Sequence, residues 1–212
     1  MITRRLPVGV LASGRGSNLQ ALIDHIEAGR LDAEIRVVVS DVKDAQALER
    51  ARRHGIDACY IDPGPRRTIL TAEAEERYVQ CMRDHGVELI ALAGFMRILK
   101  ERFLAAHAGR ILNIHPALLP SFPGLQAQRQ AFEYGVKVSG CTVHFVDAGI
   151  DTGPIIIQAS VPVRDDDTVA SLSERILEEE HRIYAEAIQL FAEGRLRVEG
   201  RRVIIEGPRV EG

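Results

Sequence analysis

The sequence predicts an α/β fold in which helices cover a mostly parallel central sheet. The first half of the chain alternates short apolar runs with amphipathic stretches, which is the rhythm of βα units. Two later runs, 139–146 and 155–163, alternate apolar and polar residues around a glycine-containing loop, as expected of an antiparallel pair. The long amphipathic stretch 168–193 predicts a C-terminal helix.

The elements of the N-terminal half are predicted from apolar periodicity and from the residues at their ends. Asp44 is expected to cap the second helix and Gly55 to end it. The last strand is apolar except for Glu88 near its start, as expected of a strand covered on both faces. The predicted strands span 8–12, 35–40, 59–61 and 87–93, and the predicted helices span 17–28, 44–54 and 71–85.

The C-terminal half adds further elements around the antiparallel pair and the long helix. We predict a strand at 110–114, a helix at 126–135 and a terminal hairpin at 195–205. The length suits one large domain or two small ones, and the lack of a linker in the sequence favours one. We therefore expect a Rossmann-like three-layer sandwich built as a single domain, residues 1–212, with halves of about 1–100 and 101–212.

Composition excludes several classes of protein. The net charge of −3 and the pI of about 6.2 disfavour broad nucleic-acid binding. No apolar run approaches the length of a membrane span, and no signal peptide is recognisable, so we expect a cytoplasmic protein without a membrane partner. The three cysteines are far apart and form no CxxC pair, which disfavours a zinc site or a disulfide framework.

Three polar residues are the candidates for catalysis. Asn113 and His115 end an apolar run and alternate along a predicted strand, so both should point to the same side. Asp151 lies in the glycine-rich loop 147–154. A carboxamide, an imidazole and a carboxylate that meet can stabilise charge and move a proton at a carbonyl group. Taken singly, His115 is better explained as a hydrogen-bonded structural histidine, and Asp151 is explained equally well as a turn residue.

A glycine loop, residues 12–19, joins the first strand to the first helix. Its glycines and the N-terminus of the following helix favour a phosphate site. A tight turn with Ser17 as the helix N-cap explains the motif equally well. A dinucleotide site, with Asp41 as the ribose acceptor, is a weaker alternative because Leu19 stands where the third glycine of that motif should be.

The loop that follows the fourth strand, residues 93–99, is unusually apolar. Open α/β sheets bind ligands at the carboxyl ends of their strands, which is where this loop lies. Its residues are expected to form the wall of a pocket for a flat ligand, or else to pack back onto the core.

Four separated motifs occur in order along the chain: Ser13 to Gln20, Ala93 to Leu99, Leu112 to Pro120 and Asp151 to Pro154. Together they resemble the motifs of folate-dependent formyltransferases, and in particular of the members that formylate glycinamide ribonucleotide (GAR) in purine biosynthesis. The resemblance covers residues 8–194. It implies transfer of a formyl group from 10-formyltetrahydrofolate to the amine of GAR, without a metal.

The resemblance also implies a role for each matching residue. Asn113 and His115 would flank the formyl carbon, and Asp151 would partner His115. The GAR site would include Gly16, Ser17, Asn18 and Glu180, and the folate site would include Asn113 with Met96, Arg97, Ile98 and Leu99. The N-terminal half would bind the nucleotide phosphate, and the C-terminal half would carry catalysis and folate binding.

The sequence departs from the family pattern at two places. Thr71 stands where the family often has a folate-contacting arginine, which Arg66 or Arg67 would have to replace. Gln126 and Gln128 stand where histidine is common.

Two other functions remain open at this stage. A different enzyme that uses 10-formyltetrahydrofolate, either a formyltransferase or a hydrolase, would share the same motifs. A nucleotide-binding sensor would explain the glycine loop but would leave Asn113, His115 and Asp151 without a task. A monomer and a homodimer are both compatible with the sequence.

Overall fold

The computed structural model describes residues 4–207, and the chain divides into two compact units with the boundary between Asn113 and Ile114. Residues 1–3 and 208–212, the two ends of the predicted 1–212 domain, lie outside the described residues.

The first unit contains parallel strands in the order β3-β2-β1-β4-β5. β1 therefore has β2 on one side and β4 on the other, so the chain reverses its direction of travel through the sheet between β3 and β4. In chain order the elements are β1 (Leu6–Leu11), α1 (Ser17–Glu27), β2 (Ala33–Ser40), α2 (Gln46–Arg53), β3 (Asp57–Tyr60), α3 (Ala72–Asp84), β4 (Leu89–Leu92), α4 (Glu101–Ala106) and β5 (Ile111–His115).

The central strands of this unit form its core. Every residue of β1 and of β4 is buried, as expected of parallel strands covered on both faces. Thr71 caps α3 by accepting a hydrogen bond from the Ala74 N–H at 3.1 Å. The predicted Asp44 cap is wrong, because Ala45 occupies the N-cap position of α2 and the helix begins two residues later than expected.

One helix of the first unit, α4, was not predicted. It has six residues, too few for a clear periodic signal. Its stability comes from α3: the buried Glu75 carboxylate accepts hydrogen bonds from the backbone N–H groups of Lys100, at 3.0 Å, and Phe103, at 3.3 Å. A side chain distant in sequence thus caps this helix.

The second unit combines four strands with two helices. Its strand order is β6-β7-β9-β8, in which β6 and β7 pair antiparallel, β7 and β9 parallel, and β8 and β9 antiparallel. The long helix α6 packs on β6 and β7 and begins with a capping box formed by Thr168 and Ser171. The elements are α5 (Ala127–Tyr134), β6 (Val138–Phe145), β7 (Ile155–Pro162), α6 (Val169–Ala192), β8 (Leu196–Glu199) and β9 (Arg202–Ile205).

These elements confirm the predicted α/β class, with parallel strands in the N-terminal half, antiparallel pairs in the C-terminal half and a long C-terminal helix. Among the helices of residues 4–207, even the longest, α6, lacks the apolar length that a bilayer span requires.

Candidate active site

The glycine loop follows β1, at the point where the strand order reverses and α/β sheets commonly bind ligands. Gly16 has a left-handed conformation (φ 72°) and is the N-cap of α1, so Ser17 is the first helical residue rather than the cap. A Cβ atom on Gly16 would lie 2.9 Å from the Ala47 Cα, which explains the need for glycine here. The first N–H groups of α1 therefore come directly after the glycine loop, an arrangement that is common in anion-binding sites.

The segment after β4 lies against the glycine loop. The Ser13 N–H donates to the Gly94 carbonyl at 3.1 Å, and the Met96 N–H donates to the Ser13 hydroxyl at 2.8 Å. Met96 and Ile98 are 54% and 40% exposed, so both are available to an apolar ligand, whereas Leu99 is buried. Leu99 thus packs onto the core, and a role of this loop in ligand binding stays a prediction.

Arg97 belongs to the same segment, but its side chain is committed to the protein. Its Nε donates to a carboxylate oxygen of Asp41 at 2.6 Å, and a second guanidinium nitrogen donates to the Arg66 carbonyl. The other oxygen of Asp41 accepts from the Ser13 hydroxyl at 2.5 Å. Asp41 makes a hydrogen bond with each oxygen and its side chain is only 2% exposed, which disfavours its predicted alternative role as a ribose acceptor.

The second unit brings His115 and Asp151 together. The His115 Nδ1 lies 3.3 Å from the Asp151 Oδ2, and the His115 Nε2 lies 2.9 Å from the Phe122 carbonyl oxygen. The side chain of His115 is 5% exposed and that of Asp151 is 14% exposed. Each ring nitrogen thus faces an oxygen that can accept a hydrogen bond.

Asp151 is held by its own loop and by the segment after β5. It has a left-handed backbone (φ 53°), and its Oδ2 accepts a hydrogen bond from the Gly124 N–H at 2.8 Å. A Cβ atom on Gly153 would lie 1.7 Å from the Phe145 carbonyl oxygen, so only glycine fits beside the end of β6. Asp147 organises the loop by accepting from the Gly149 N–H and from the Thr152 hydroxyl, at 3.0 and 2.7 Å.

His144 is a third member of this cluster. It is buried, with its Nε2 3.7 Å from the Asp151 Oδ1 and its Nδ1 2.8 Å from the Phe145 carbonyl oxygen. Burial lowers the pKa of His144, in spite of the opposing effects of the Phe145 hydrogen bond and the Asp151 charge. The neutral form of His144 is therefore favoured beside Asp151.

The remaining predicted site residues occupy distinct positions. Asn113 lies on β5 two residues before His115, half-buried and in register with Leu92 of β4. Glu180 is a buried carboxylate on α6. Burial raises the pKa of Cys141 to about 12, and the nearby Glu180 charge adds to this effect.

The two departures from the family pattern also have positions in the structure. Thr71 serves as the N-cap of α3, and Arg66 contributes a carbonyl to Arg97. Gln126 is the left-handed N-cap of α5, with Gln128 in the first turn of that helix.

One further cavity lies apart from the predicted site residues. An open groove of about 580 Å³ lies between α3 and α4 and is lined by none of the predicted site residues. Within residues 4–207, no group of three or more His, Cys, Asp or Glu side chains is arranged to hold a metal ion.

The comparison with protein families gives a clear result. The model of the formyl transferase family matches residues 7–188. The chain belongs to the formyl transferase family. The resemblance inferred from the four motifs is therefore confirmed.

Individual relatives of this formyl transferase agree with the family match. The phosphoribosylglycinamide formyltransferase of Escherichia coli (strain K12) is 42% identical, over 95% of this chain and 94% of that protein. The trifunctional purine biosynthetic protein adenosine-3 of Gallus gallus is 45% identical, over 92% of this chain. This chain spans only 19% of that longer protein.

A crystal structure supports the fold in the same way. The glycinamide ribonucleotide transformylase 1 of Symbiobacterium toebii is 55% identical, with a TM-score of 0.91, and the match covers 96% of this chain and 95% of that one.

Proposed function

We propose that this formyl transferase moves the formyl group of 10-formyltetrahydrofolate to the amine of GAR, giving formyl-GAR and tetrahydrofolate in de novo purine biosynthesis. The match over 94% of the Escherichia coli phosphoribosylglycinamide formyltransferase supports these substrates. The observation that carries the chemistry is the contact of His115 with Asp151 at 3.3 Å, in the motifs that the family match covers.

The reaction is a direct displacement at the formyl carbon. The neutral amine of GAR attacks that carbon, and the carbonyl oxygen becomes an oxyanion. The side-chain N–H of Asn113 and the protonated His115 stabilise this oxyanion. Asp151 holds the imidazolium and relays the proton of the amine to the departing folate nitrogen, directly or through water. The C–N bond to the folate then breaks, and no covalent bond to the enzyme is formed.

The GAR site is assigned to the N-terminus of α1 and to Glu180. Gly16, Ser17 and Asn18 would hold the phosphate, because the first N–H groups of a helix point along the axis towards an anion. The buried carboxylate of Glu180 would receive the ribose and amine end of the substrate.

The folate site is assigned to Asn113 and to Met96, Arg97, Ile98 and Leu99. The Arg97 guanidinium is bound by Asp41 and Arg66, so this residue would meet the folate through its backbone. Backbone N–H and C=O groups match the edge of a pterin ring, while the exposed Met96 and Ile98 side chains would cover its apolar face.

We further propose that residues 1–212 work as a single formyltransferase domain, with a phosphate-binding half of about 1–100 and a catalytic half of about 101–212. The enzyme would act in the cytoplasm on small molecules, as a monomer or a homodimer, without a metal, a nucleic acid or a membrane.

A formyl-transfer assay with purified protein tests this proposal. The formation of tetrahydrofolate from 10-formyltetrahydrofolate is followed by absorbance, with and without GAR. We expect turnover that depends on GAR. Release at the same rate without GAR would instead indicate a hydrolase, and binding of a nicotinamide dinucleotide without folate turnover would favour the sensor.

A further inference from the structure

Asp41 is a buried charge that the proposed chemistry does not use. It follows β2, and its side chain is only 2% exposed. Its oxygens accept from the Ser13 hydroxyl at 2.5 Å and from the Arg97 Nε at 2.6 Å. A carboxylate buried to this degree needs such partners to remain charged.

Both partners of Asp41 continue into segment 94–99. The Ser13 hydroxyl donates a hydrogen bond to Asp41. Its oxygen lone pairs therefore point away from Asp41 and accept a hydrogen bond from the Met96 N–H. The Ser13 N–H donates to the Gly94 carbonyl. Arg97 reaches from Asp41 to the Arg66 carbonyl. The carboxylate thus holds this segment at both Met96 and Arg97.

The rest of the glycine loop is fixed by different contacts. The Ala47 N–H donates to the Gly14 carbonyl at 3.1 Å, and Gly16 packs against the Ala47 backbone. The N-terminus of α1 is therefore held by α2, whereas Asp41 holds segment 94–99 at Met96 and Arg97. Further along the segment, the Ile98 N–H donates to the Thr68 carbonyl at 2.8 Å, independently of Asp41. A change at Asp41 should displace the backbone around Met96 and Arg97 and leave the N-terminus of α1 in place.

We propose that Asp41 is a positioning residue for the formyl donor, which it serves by fixing the backbone of segment 94–99 through Ser13 and Arg97. This inference rests on the proposed function, in which that backbone reads the folate. Small displacements of a binding backbone are costly, because a shift of about 1 Å in a substrate can lower the rate about a hundredfold.

Asp41→Asn is the test, since it removes the charge and keeps the shape. We expect the KM for 10-formyltetrahydrofolate to rise about tenfold or more and the KM for GAR to change less than about twofold. Ser13→Ala, which removes a hydroxyl only, should raise the same KM to a smaller extent. Amide hydrogen exchange of segment 94–99 should become faster in both variants.

Asp167→Asn is the matched control. The side chain of Asp167 is also only 3% exposed, and it also accepts hydrogen bonds from an arginine and a serine, Arg175 at 2.6 Å and Ser171 at 2.8 Å. It lies in the second unit, at the start of α6. We expect a lower melting temperature in this variant, with both KM values unchanged.

Three results would overturn the inference. Exchange of segment 94–99 that stays at the wild-type rate in both Asp41→Asn and Ser13→Ala would show that Asp41 does not hold it. An equal rise of both KM values would show a general loss of structure, and unchanged KM values would show that the segment does not bind the donor.

If the wild-type protein transfers no formyl group to GAR, the proposed function itself fails. The exchange rates and calorimetric binding of tetrahydrofolate then still decide whether Asp41 positions a folate site.

Discussion

The replacement Asp151→Asn tests the role of the charge beside His115. The Asn oxygen can take the place of the Asp151 Oδ2 and keep the Gly124 N–H bond, so the change removes a charge and keeps the shape. Two unit charges 3.3 Å apart attract each other by about 5 kcal/mol at an effective dielectric constant of about 20. Because the amide dipole retains part of that attraction, we expect a loss of roughly 3–4 kcal/mol in the transition state, or about two to three orders of magnitude in kcat.

The assay is steady-state formyl transfer with both substrates saturating, on protein whose thermal unfolding matches that of the wild type. Asp147→Asn is the control, since Asp147 lies in the same loop and accepts hydrogen bonds from Gly149 and Thr152. That variant should keep kcat within about fivefold of wild type, because its side chain only supports the loop. A folded Asp151→Asn enzyme that turns over as fast as the Asp147→Asn control would refute the reasoning.

Three further predictions concern the phosphate site and the stability of the first unit. Ser17→Ala and Asn18→Ala should raise the KM for GAR while the KM for the folate stays constant, and an unchanged KM for GAR would mean that the phosphate binds elsewhere. Glu75→Ala should lower the free energy of unfolding by about 2–3 kcal/mol in urea, since it leaves α4 uncapped; a loss below about 0.5 kcal/mol would contradict that cap. Burial lowers the pKa of His107 to about 4, so the unfolded chain, with an ordinary pKa of 6.5, binds the proton first as the pH falls. The contribution of His107 to stability should therefore be complete above about pH 6.5 and should be lost as the pH falls towards 4. The variant His107→Gln should lose much of this slope, and a slope as steep as that of wild type would assign it to other groups.

The sequence predicted those parts of the fold that are governed by local rules. Thr71 and Thr168 stand at helix starts and do cap them, because side-chain capping needs only a few neighbouring residues. The short helix α4 escaped prediction because its cap, Glu75, belongs to a different helix. Asp44 shows the opposite error: a good capping residue stands two positions before the start of the helix.

The residues of the candidate site also include some that local motifs predict and others that no motif reports. Asn113, His115 and Asp151 were predicted from specific motifs, and the structure places Asp151 against His115. Their catalytic roles stay predictions. The contribution of Asp147 and the pairing of Asp41 with Arg97 were not found. The second joins residues 56 positions apart, and no periodic pattern or local motif reports such a contact. Arg97 was predicted to bind folate, and the sequence contained no signal that its guanidinium is used internally.

The fate of the formyl group tests the central claim most directly. Wild-type protein would be incubated with GAR and with 10-formyltetrahydrofolate that carries ¹³C in its formyl group. The labelled products would then be identified and quantified by mass spectrometry. The account predicts that the label appears in the new formamide of formyl-GAR, in equal amount to the tetrahydrofolate released. Label recovered as free formate, or retained on the folate while the protein remains folded, would contradict it.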